Sequence, residues 1–563
     1  MTASPSRYWI AAGALALAFL LQSFFASRIK SPTYDEPAHI GAGLSYVETG
    51  TIKANPQHPP LLKELSGLTL LAAGIRLPDV PAVDEMKTGA VGTEYVGGSA
   101  LLTAAGPARV LFWARLPFIL IATAAGLLLF AWGRQLLGDL AALCALFLYA
   151  VSPTILAHSY LVTTDVGLAA FTLLFFFALW NYLRYPGWAR MAWCGVVLGC
   201  ALASKFSAVA LPPIAALLML ASLRWPVLRL PGSPPAFWEA PRKSASAQPF
   251  GITLLRCSLA FLMICAVAVV VVEACYFFPS NVFAYLDGIR RVNADHNTNY
   301  FVVIAGQLGK HALDYFALVW ALKEPLAALI LAVLGAFALW RTKTVGVLAK
   351  LFLILPPAIL FAGYSVGADD FGIRYLIPVL PFAYLIGGLG LASLMERRAL
   401  WSRAVAAVLC LWLVVGTVAI YPDHLAYFNE IACLPDNAGE LSIAGGWRCG
   451  PLWFDDHNVD WGQGLAQLKT WLDAHAAGRP WDFAYFGSFP PTAYGLNGRL
   501  IDQNSLAIAM SPDPGLHVVS AHVVSSAPLL GERFAHGGGS WLHTTAPVAI
   551  VGHSLYVFDI PAK

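Results

Sequence analysis

Long runs of apolar residues, separated by short polar segments, dominate this chain. The hydrocarbon core of a bilayer is about 30 Å thick, so a helix needs about 20 mostly apolar residues to cross it. Counted in this way, the chain has about eleven membrane-spanning helices, two of which are short or close to a neighbour. The predicted spans are 8–27, 108–132, 139–157, 160–181, 189–203, 207–223, 254–278, 325–341, 347–366, 374–395 and 403–421.

The Lys and Arg residues between the apolar runs predict the orientation, because the cytoplasmic loops of membrane proteins are enriched in these residues. With the N-terminus in the cytoplasm, every second loop is basic and the acidic clusters fall in the others. The basic loops contain Arg134; Arg184 and Arg190; Arg224, Arg229, Arg242 and Lys243; Arg341 and Lys343; and Arg397, Arg398 and Arg403. This pattern predicts an odd number of spans and a C-terminus outside the cytoplasm.

Three segments then lie outside the cytoplasm: a first loop at 28–107, a second loop at 279–323 and a C-terminal tail at 422–563. We expect residues 1–421 to form a transmembrane domain and the tail to form a separate extracytoplasmic domain. In the first loop, the apolar stretch Leu61–Ile75 is too short and too interrupted by charge to cross the bilayer. An interfacial helix is the better interpretation.

The tail has the composition of a soluble domain, with charged residues, Gly and Pro at ordinary levels. Its strand-like runs lie at 482–486, 517–524 and 548–558, which predicts a small mixed α/β domain. The Pro- and Ser-rich segment 231–249 is interpreted as a cytoplasmic linker. Together these features predict a mostly α polytopic membrane protein with a small α/β domain at its C-terminus.

The composition supports this class. Hydrophobic residues make up 58% of the chain and charged residues 12%, whereas soluble domains carry roughly 25% charged residues. An ordinary soluble enzyme is therefore excluded, and the net charge of +3 does not indicate nucleic-acid binding. Cys433 and Cys449 lie in the polar tail, where an oxidising compartment would permit a disulfide, and the sequence leaves that pairing open.

The strongest candidate chemistry follows the first span, where Asp35 and Glu36 lie between Pro32 and Pro37, with His39 close behind. Charged residues near membrane depth are costly and commonly functional, so the pair predicts carboxylates held at the membrane surface. The alternative is that the two acids only favour the start of a helix through its dipole.

A second candidate is His58, which two prolines hold just before the predicted interfacial helix. Two consecutive prolines can start a helix but cannot continue one, so His58 would face the headgroup layer as a titratable group. An ordinary turn histidine is the competing interpretation. Asp165, at the end of a later span, faces the same compartment as Asp35.

Two basic residues depart from the positive-inside pattern, because Lys205 and Arg374 lie at the outer ends of spans. Phosphate oxygens are natural external ligands for both, since Arg offers a bidentate fork and Lys a point charge. The alternative is that Arg374 pairs with Asp369 or Asp370. Further site candidates are Tyr375, which follows Arg374, and the pair Lys323 and Glu324 at the start of a span.

Carboxylates, a His-Pro-Pro corner and phosphate-binding cations on the outer face suggest transfer from a lipid-linked phosphate donor. The motifs also occur in a recognisable order. They are Asp35-Glu36-Pro37-x-His39, Tyr46-x-x-x-Gly50, His58-Pro59-Pro60-Leu61, Thr164-Asp165, Ser204-Lys205-Phe206, Arg374-Tyr375-x-x-Pro378, Tyr427-Phe428-Asn429-Glu430 and Asn458-x-Asp460-Trp461-Gly462-Gln463. This order resembles the bacterial phospholipid-carrier-dependent glycosyltransferases, which are C-type membrane enzymes similar to protein O-mannosyltransferases and aminoarabinose transferases.

The resemblance implies an inverting transferase of the bacterial inner membrane that uses a polyprenyl-phosphate sugar as donor, with its active site on the extracytoplasmic side. Asp35 would be the base or a base-positioning carboxylate, assisted by Glu36 and Asp165. Arg374, Lys205 and His58 would contact the donor phosphate. No cofactor is predicted with certainty, and a divalent metal ion is left open, with Asp35 and Asp165 as its candidate ligands.

Two other functions compete with a transferase of a single sugar. A lipid-linked glycan polymerase or ligase is chemically close, and a polytopic transporter would have the same composition. A transporter's ionisable groups should lie near the bilayer midplane on broken helices, whereas here they lie at span ends. The expected partners are membrane lipids, the lipid-linked sugar and an acceptor protein, lipid or glycan, which the tail would present to the site. The sequence does not identify the sugar, the acceptor or the lipid carrier.

Overall fold

A computed structural model describes residues 5–225, 250–295 and 300–562. The predicted linker 231–249 lies outside these residues. The helices are α1 (Pro5–Ile29), α2 (Glu36–Thr49), α3 (Leu61–Ala72), α4 (Pro81–Thr88), α5 (Thr93–Ala105), α6 (Pro107–Leu137), α7 (Asp139–Ala150), α8 (Pro153–His158), α9 (Asp165–Arg184), α10 (Trp188–Leu202), α11 (Leu211–Arg224), α12 (Phe250–Cys275), α13 (Ala284–Asp295), α14 (Tyr315–Lys323), α15 (Leu326–Arg341), α16 (Val347–Gly367), α17 (Leu380–Glu396), α18 (Leu400–Ala419), α19 (Leu465–His475), α20 (Gln503–Ile508), α21 (Ala521–Phe534) and α22 (Trp541–Thr544).

The predicted class, a mostly α polytopic membrane protein, is confirmed. Within the described residues, seven helices are long and apolar enough to cross a membrane, or eight if the bent pair α14 and α15 forms one span. The predicted spans 139–157, 189–203 and 374–395 correspond instead to the shorter apolar helices α7, α10 and α17. The count of about eleven therefore stays a prediction.

The sharp bend between α14 and α15 follows from the local sequence. The two helices meet at 112°, and Pro325 lies between them as the residue before α15. Proline disfavours helical backbone in the residue before it, and Glu324 is accordingly extended (φ −85°, ψ 142°). Lys323 and Glu324 therefore lie at the corner of the bend.

The first loop folds into the four helices α2 to α5. Helices α2 and α3 pack closely at their glycines. A Cβ on Gly43 would lie only 2.0 Å from the carbonyl oxygen of Lys63, so this contact requires glycine. The predicted helix at Leu61–Ile75 is observed as α3. Its Lys63 is buried, and the ammonium donates to the carbonyl oxygens of Asn55 at 2.7 Å and His58 at 2.8 Å. This lysine therefore fastens the preceding loop rather than interrupting the helix.

The tail contains a five-stranded mixed sheet. Its strands are β3 (Trp481–Ala484), β4 (Arg499–Leu500), β5 (Gly515–Ser520), β6 (Ala549–Val551) and β7 (Leu555–Ile560), in the order β4-β3-β5-β7-β6. Strand β3 is parallel to β4 and β5, whereas β7 is antiparallel to β5 and β6. A separate two-stranded hairpin, β1 (Val302–Ile304) with β2 (Gln307–Gly309), lies in the second loop.

Two strand predictions need correction. The run 517–524 is a strand only as far as Ser520, after which helix α21 begins, because an unbroken apolar run does not distinguish strand from helix. The run 548–558 is a hairpin of β6 and β7. Cys433 and Cys449, whose pairing the sequence left open, are joined by a disulfide.

Candidate active site

Asp35 and Arg374 form an ion pair between the first loop and the segment before α17. The Nη1 of Arg374 donates to Oδ2 of Asp35 at 2.9 Å, and the side chains are 14% and 17% exposed. Asp35 occupies the N-cap position of α2, but its side chain makes no capping hydrogen bond. Asp35 therefore does not cap α2 through a side-chain hydrogen bond, and its carboxylate is directed at Arg374.

Arg374 sits on a short 3-10 helix, Ile373–Leu376, that follows Gly372. Gly372 has φ +93°, a backbone conformation that favours glycine, and so turns the chain into this segment. The guanidinium carbon lies 5.0 Å from the ring centroid of Trp461 and 5.5 Å from that of Tyr375. Burial opposes the charge of Arg374, but Asp35 and Tyr375 raise its pKa above the ordinary value.

The alternative pairing of Arg374 with Asp370 is wrong. The Asp370 carboxylate accepts a hydrogen bond from the backbone N–H of Ala312 at 2.8 Å and lies 3.2 Å from Nδ1 of His311. Arg374 pairs with Asp35 instead, although 339 positions separate them. Its Nε is buried and has no hydrogen-bond partner among the described residues, so a donor faces the site unused.

A second ion pair joins Lys205 to Asp165. The ammonium donates to Oδ1 of Asp165 at 2.6 Å, and the side chains are 13% and 2% exposed. The same ammonium lies 4.3 Å from the ring centroid of Tyr375. Burial lowers the pKa of Lys205, against the opposing effect of Asp165. Tyr375 thus lies against both cations, and the structure brings four predicted site residues together around its ring.

A cavity of about 600 Å³ adjoins these residues. Its polar lining includes His58, Lys205, Ser207, Tyr364 and Tyr375, and its apolar lining includes Val209, Ile359 and Leu360. The lining also contains the carboxylate of Asp369. A cavity that combines polar and charged groups with apolar walls suits an amphiphile that has a charged head.

His58 and His39 lie against each other, with ring centroids 5.0 Å apart. Burial lowers the pKa of His39 to about 4 and the pKa of His58 well below its ordinary value. Both rings are therefore neutral near pH 7. His58 lines the cavity as an uncharged ring rather than as a cation, and its contact with a donor phosphate stays a prediction.

Glu36 has different neighbours from Asp35. Its carboxylate accepts two hydrogen bonds from Arg115, at 2.8 Å from Nε and 2.6 Å from Nη2, and others from the backbone N–H groups of Thr33 and Val162. Both side chains are at most 1% exposed. Glu36 is thus saturated by protein donors and holds the first loop to α6. The sequence signal for this contact was Arg115, which lies inside the apolar run 108–132.

Lys323 and Glu324 lie apart from the two ion pairs. Lys323 donates to the backbone carbonyl oxygens of Leu425 and Asn458, both at 2.6 Å. Glu324 accepts a hydrogen bond from the hydroxyl of Tyr384 at 3.0 Å. The Lys323 contacts fasten the tail to the α14–α15 bend, and the Glu324 contact joins the bend to α17. Neither side chain is part of the cavity lining.

The candidate metal ligands Asp35 and Asp165 are each engaged by a cation. Throughout the described ranges, no group of three or more His, Cys, Asp or Glu side chains is arranged as a metal site.

Sequence reasoning missed the role of the tail at this site. The backbone N–H of Tyr34 donates to the carbonyl oxygen of Trp461 at 2.8 Å, and the Trp461 ring covers Arg374. The motif that contains Trp461 was recognised only by its order in the chain. Nothing in its spacing indicated which part of the membrane domain it contacts.

Residues 107–232 match the family model described as dolichyl-phosphate-mannose-protein mannosyltransferase. Over this part of the chain, the match agrees with the resemblance that the motifs indicated. No curated protein matches the chain closely enough to count as a relative.

Three solved structures are similar to the chain at low sequence identity. ArnT from Cupriavidus metallidurans, bound to undecaprenyl phosphate, is 12% identical with a TM-score of 0.45, and the match covers 98% of each chain. The oligosaccharyltransferase AglB from Archaeoglobus fulgidus, in complex with an inhibitory peptide and a dolichol-phosphate, is 11% identical with a TM-score of 0.44, over 97% of this chain and 73% of that one. An apo form of the Archaeoglobus oligosaccharyltransferase is 11% identical with a TM-score of 0.46, over 100% and 76%.

Proposed function

We propose that the protein is an integral-membrane glycosyltransferase that moves a sugar from a polyprenyl-phosphate donor to an acceptor hydroxyl, with inversion at the anomeric carbon. The reaction takes place on the extracytoplasmic side of the bacterial inner membrane, in the orientation that the basic loops predict. The match to a mannosyltransferase family over residues 107–232 supports the reaction class.

The observation that carries this proposal is the pair of cations beside the ring of Tyr375. Lys205 and Tyr375 line the cavity together with its apolar residues, and Arg374 lies against the ring of Tyr375. A lipid phosphate has a dianionic or monoanionic head and an apolar chain. The cations suit the head, and the apolar residues of the cavity suit the chain. The buried, unpartnered Nε of Arg374 offers a phosphate oxygen a further donor.

The two ion pairs also suggest how the donor prepares the base. Asp35 and Asp165 are paired with Arg374 and Lys205, so neither carboxylate is free while the pairs are intact. A donor phosphate competes for the same cations. When it binds, the carboxylates lose part of their pairing and Asp35 becomes free to accept a proton.

The step then proceeds without a covalent enzyme intermediate. The acceptor oxygen forms a bond to the anomeric carbon while the bond from that carbon to the phosphate oxygen breaks, and the phosphate leaves with the electron pair. The acceptor proton passes to Asp35. Arg374 and Lys205 stabilise the charge that develops on the leaving phosphate, in surroundings of low dielectric constant.

The location of the charged groups favours a transferase over a transporter. Asp35 follows α1, Asp165 begins α9, Lys205 follows α10 and Arg374 precedes α17. All four therefore lie at helix ends on one side of the bundle, whereas a transporter needs its ionisable groups near the midplane.

The test is a transfer assay on the full chain in lipid, with labelled polyprenyl-phosphate hexoses and pentoses as donors and a membrane extract as acceptor. We expect label transfer by the parent, and a loss of at least roughly a hundredfold in Asp35→Asn, because general-base catalysis contributes about 10²–10⁴-fold. Asp473→Asn is the matched control, since its carboxylate is exposed and pairs with Lys469.

Two results would contradict the proposal. Near-normal transfer by Asp35→Asn would remove Asp35 as the base. A folded parent that transfers label from none of the donors, and binds no undecaprenyl phosphate, would overturn the assignment of the reaction class. The melting temperature of each variant shows whether the loss is chemical or structural.

A further inference from the structure

One loop of the tail reaches into the membrane domain. It comprises residues 456–463 and is called the tail loop here. Trp461 of this loop is fully buried and packs in one cluster with Ala26 of α1, Ile119 of α6 and Tyr160 before α9. The Trp461 ring of the tail loop is therefore packed among residues of the membrane domain.

The tail loop contacts the side chain of Arg374 directly. The guanidinium carbon lies 5.0 Å from the centroid of the Trp461 ring, a geometry that favours a cation–π interaction. The ring of His457 packs edge-on against the same indole at 4.2 Å between centroids. The indole Nε1 has no hydrogen-bond partner among the residues described. Trp461 therefore interacts with Arg374 through the face of its ring and not through a hydrogen bond.

The tail loop also holds the backbone of the segment that carries Arg374. Oδ1 of Asn458 accepts a hydrogen bond from the N–H of Ile373 at 3.2 Å, and its Nδ2 donates to the hydroxyl of Tyr315 at 2.9 Å. That hydroxyl accepts from the N–H of Gly372 at 2.8 Å. Asn458 thus fixes both residues that precede Arg374.

The same loop holds the segment that carries Asp35. The carbonyl oxygen of Trp461 accepts from the N–H of Tyr34 at 2.8 Å, and that of Gln463 accepts from the N–H of Ser31 at 3.1 Å. The hydroxyl of Ser31 donates to the carbonyl oxygen of Gly462 at 3.2 Å. The segment between α1 and α2 therefore lies along the tail loop as far as the residue before Asp35.

We infer that Asn458 and Trp461 are positioning residues for the donor site, which set the place of Arg374 and, through Tyr34, that of Asp35. This inference rests on the proposed function. It makes the tail loop a part of the active site, which differs from a tail whose sole role is to present an acceptor. Removing the Trp461 ring should weaken the donor site even when no acceptor is present.

The test measures binding of undecaprenyl phosphate to the full chain in detergent, with the thermal shift of the protein as readout. We expect Trp461→Leu to raise the apparent Kd by about tenfold or more, and Asn458→Ala to act in the same direction. Trp461→Phe should stay within about threefold, because it keeps a ring beside Arg374. Trp471→Leu is the matched control, since Trp471 belongs to the tail but stacks on His475.

A separate readout does not depend on the donor. In a double-mutant cycle, Trp461→Leu and Arg374→Gln should lower the melting temperature by amounts that do not add, because the two side chains are in contact. Additive shifts, or donor binding by Trp461→Leu equal to that of the parent, would overturn the inference. If the parent binds no undecaprenyl phosphate, the proposed function fails, and the cycle alone decides whether Trp461 positions Arg374.

Discussion

At the scale of single residues, the site is defined by which charges meet. The sequence marked Asp35, Asp165, Lys205 and Arg374 because charged groups near membrane depth are costly. It did not indicate the partners, and it placed Glu36 beside Asp35 as if the two acids shared a role. In the structure Arg115 saturates Glu36, so of these two neighbouring carboxylates Asp35 is the one that faces Arg374.

Arg374→Lys tests whether the fork of the guanidinium matters beyond its charge. Lys keeps the positive charge but loses the planar donors and the stacking on Trp461. A charge-assisted hydrogen bond is worth about 1.5–3 kcal/mol, so we expect undecaprenyl phosphate to bind roughly 10–100-fold more weakly. Arg479→Lys, at an exposed pair with Asp559, should leave binding unchanged, and equal binding by both variants would contradict the role of Arg374.

At the scale of elements, close helix contacts determine where the ion pairs can form. Asp35 immediately precedes α2, and α2 packs on α3, which follows the loop that carries His58. Gly43 and Gly67 allow this contact, because a Cβ at either position would collide with the backbone of the other helix. The hydrophobic pattern predicted the helix α3 correctly, but it did not predict how closely α3 packs against α2.

Gly43→Ala should therefore destabilise the first loop. The added Cβ would lie 2.0 Å from a backbone oxygen that no side-chain rotation can move, and overpacking of this kind costs about 1–3 kcal/mol. We expect a lower melting temperature and weaker donor binding. The control is Gly13→Ala in α1, where a Cβ meets nothing within 4 Å. Equal melting temperatures for the two variants would show that α2 and α3 can separate at little cost.

At the scale of the whole molecule, the tail and the membrane domain are fastened by buried charge. Asp423, which follows α18, pairs with Lys30 at the end of α1, and its other oxygen lies 2.5 Å from Nδ1 of His553 in the tail. Burial would raise the pKa of Asp423, but Lys30 and His553 hold it below the ordinary value. The contribution of Asp423 to stability is therefore present at neutral pH and lost in strong acid.

Asp423→Asn should loosen the tail from the membrane domain. The change leaves Lys30 buried without its counter-charge, and breaking a buried pair in this way costs about 3–5 kcal/mol. We expect a lower melting temperature and faster cleavage of the tail in limited proteolysis at pH 7. As the pH falls below about 4 the parent should approach the variant. A cleavage rate equal to that of Asp473→Asn would show that this pair does not hold the tail.

The sequence by itself determined the membrane character of the chain, most helix positions and the residues worth examining, because these depend on local composition and periodicity. Only the tertiary structure decided that Asp35 meets Arg374, that Asp165 meets Lys205, and that Trp461 of the tail covers the guanidinium. These partners lie 339, 40 and 87 positions apart. Contacts over such separations depend on how helices and tail pack together, and no local pattern in the chain records that packing.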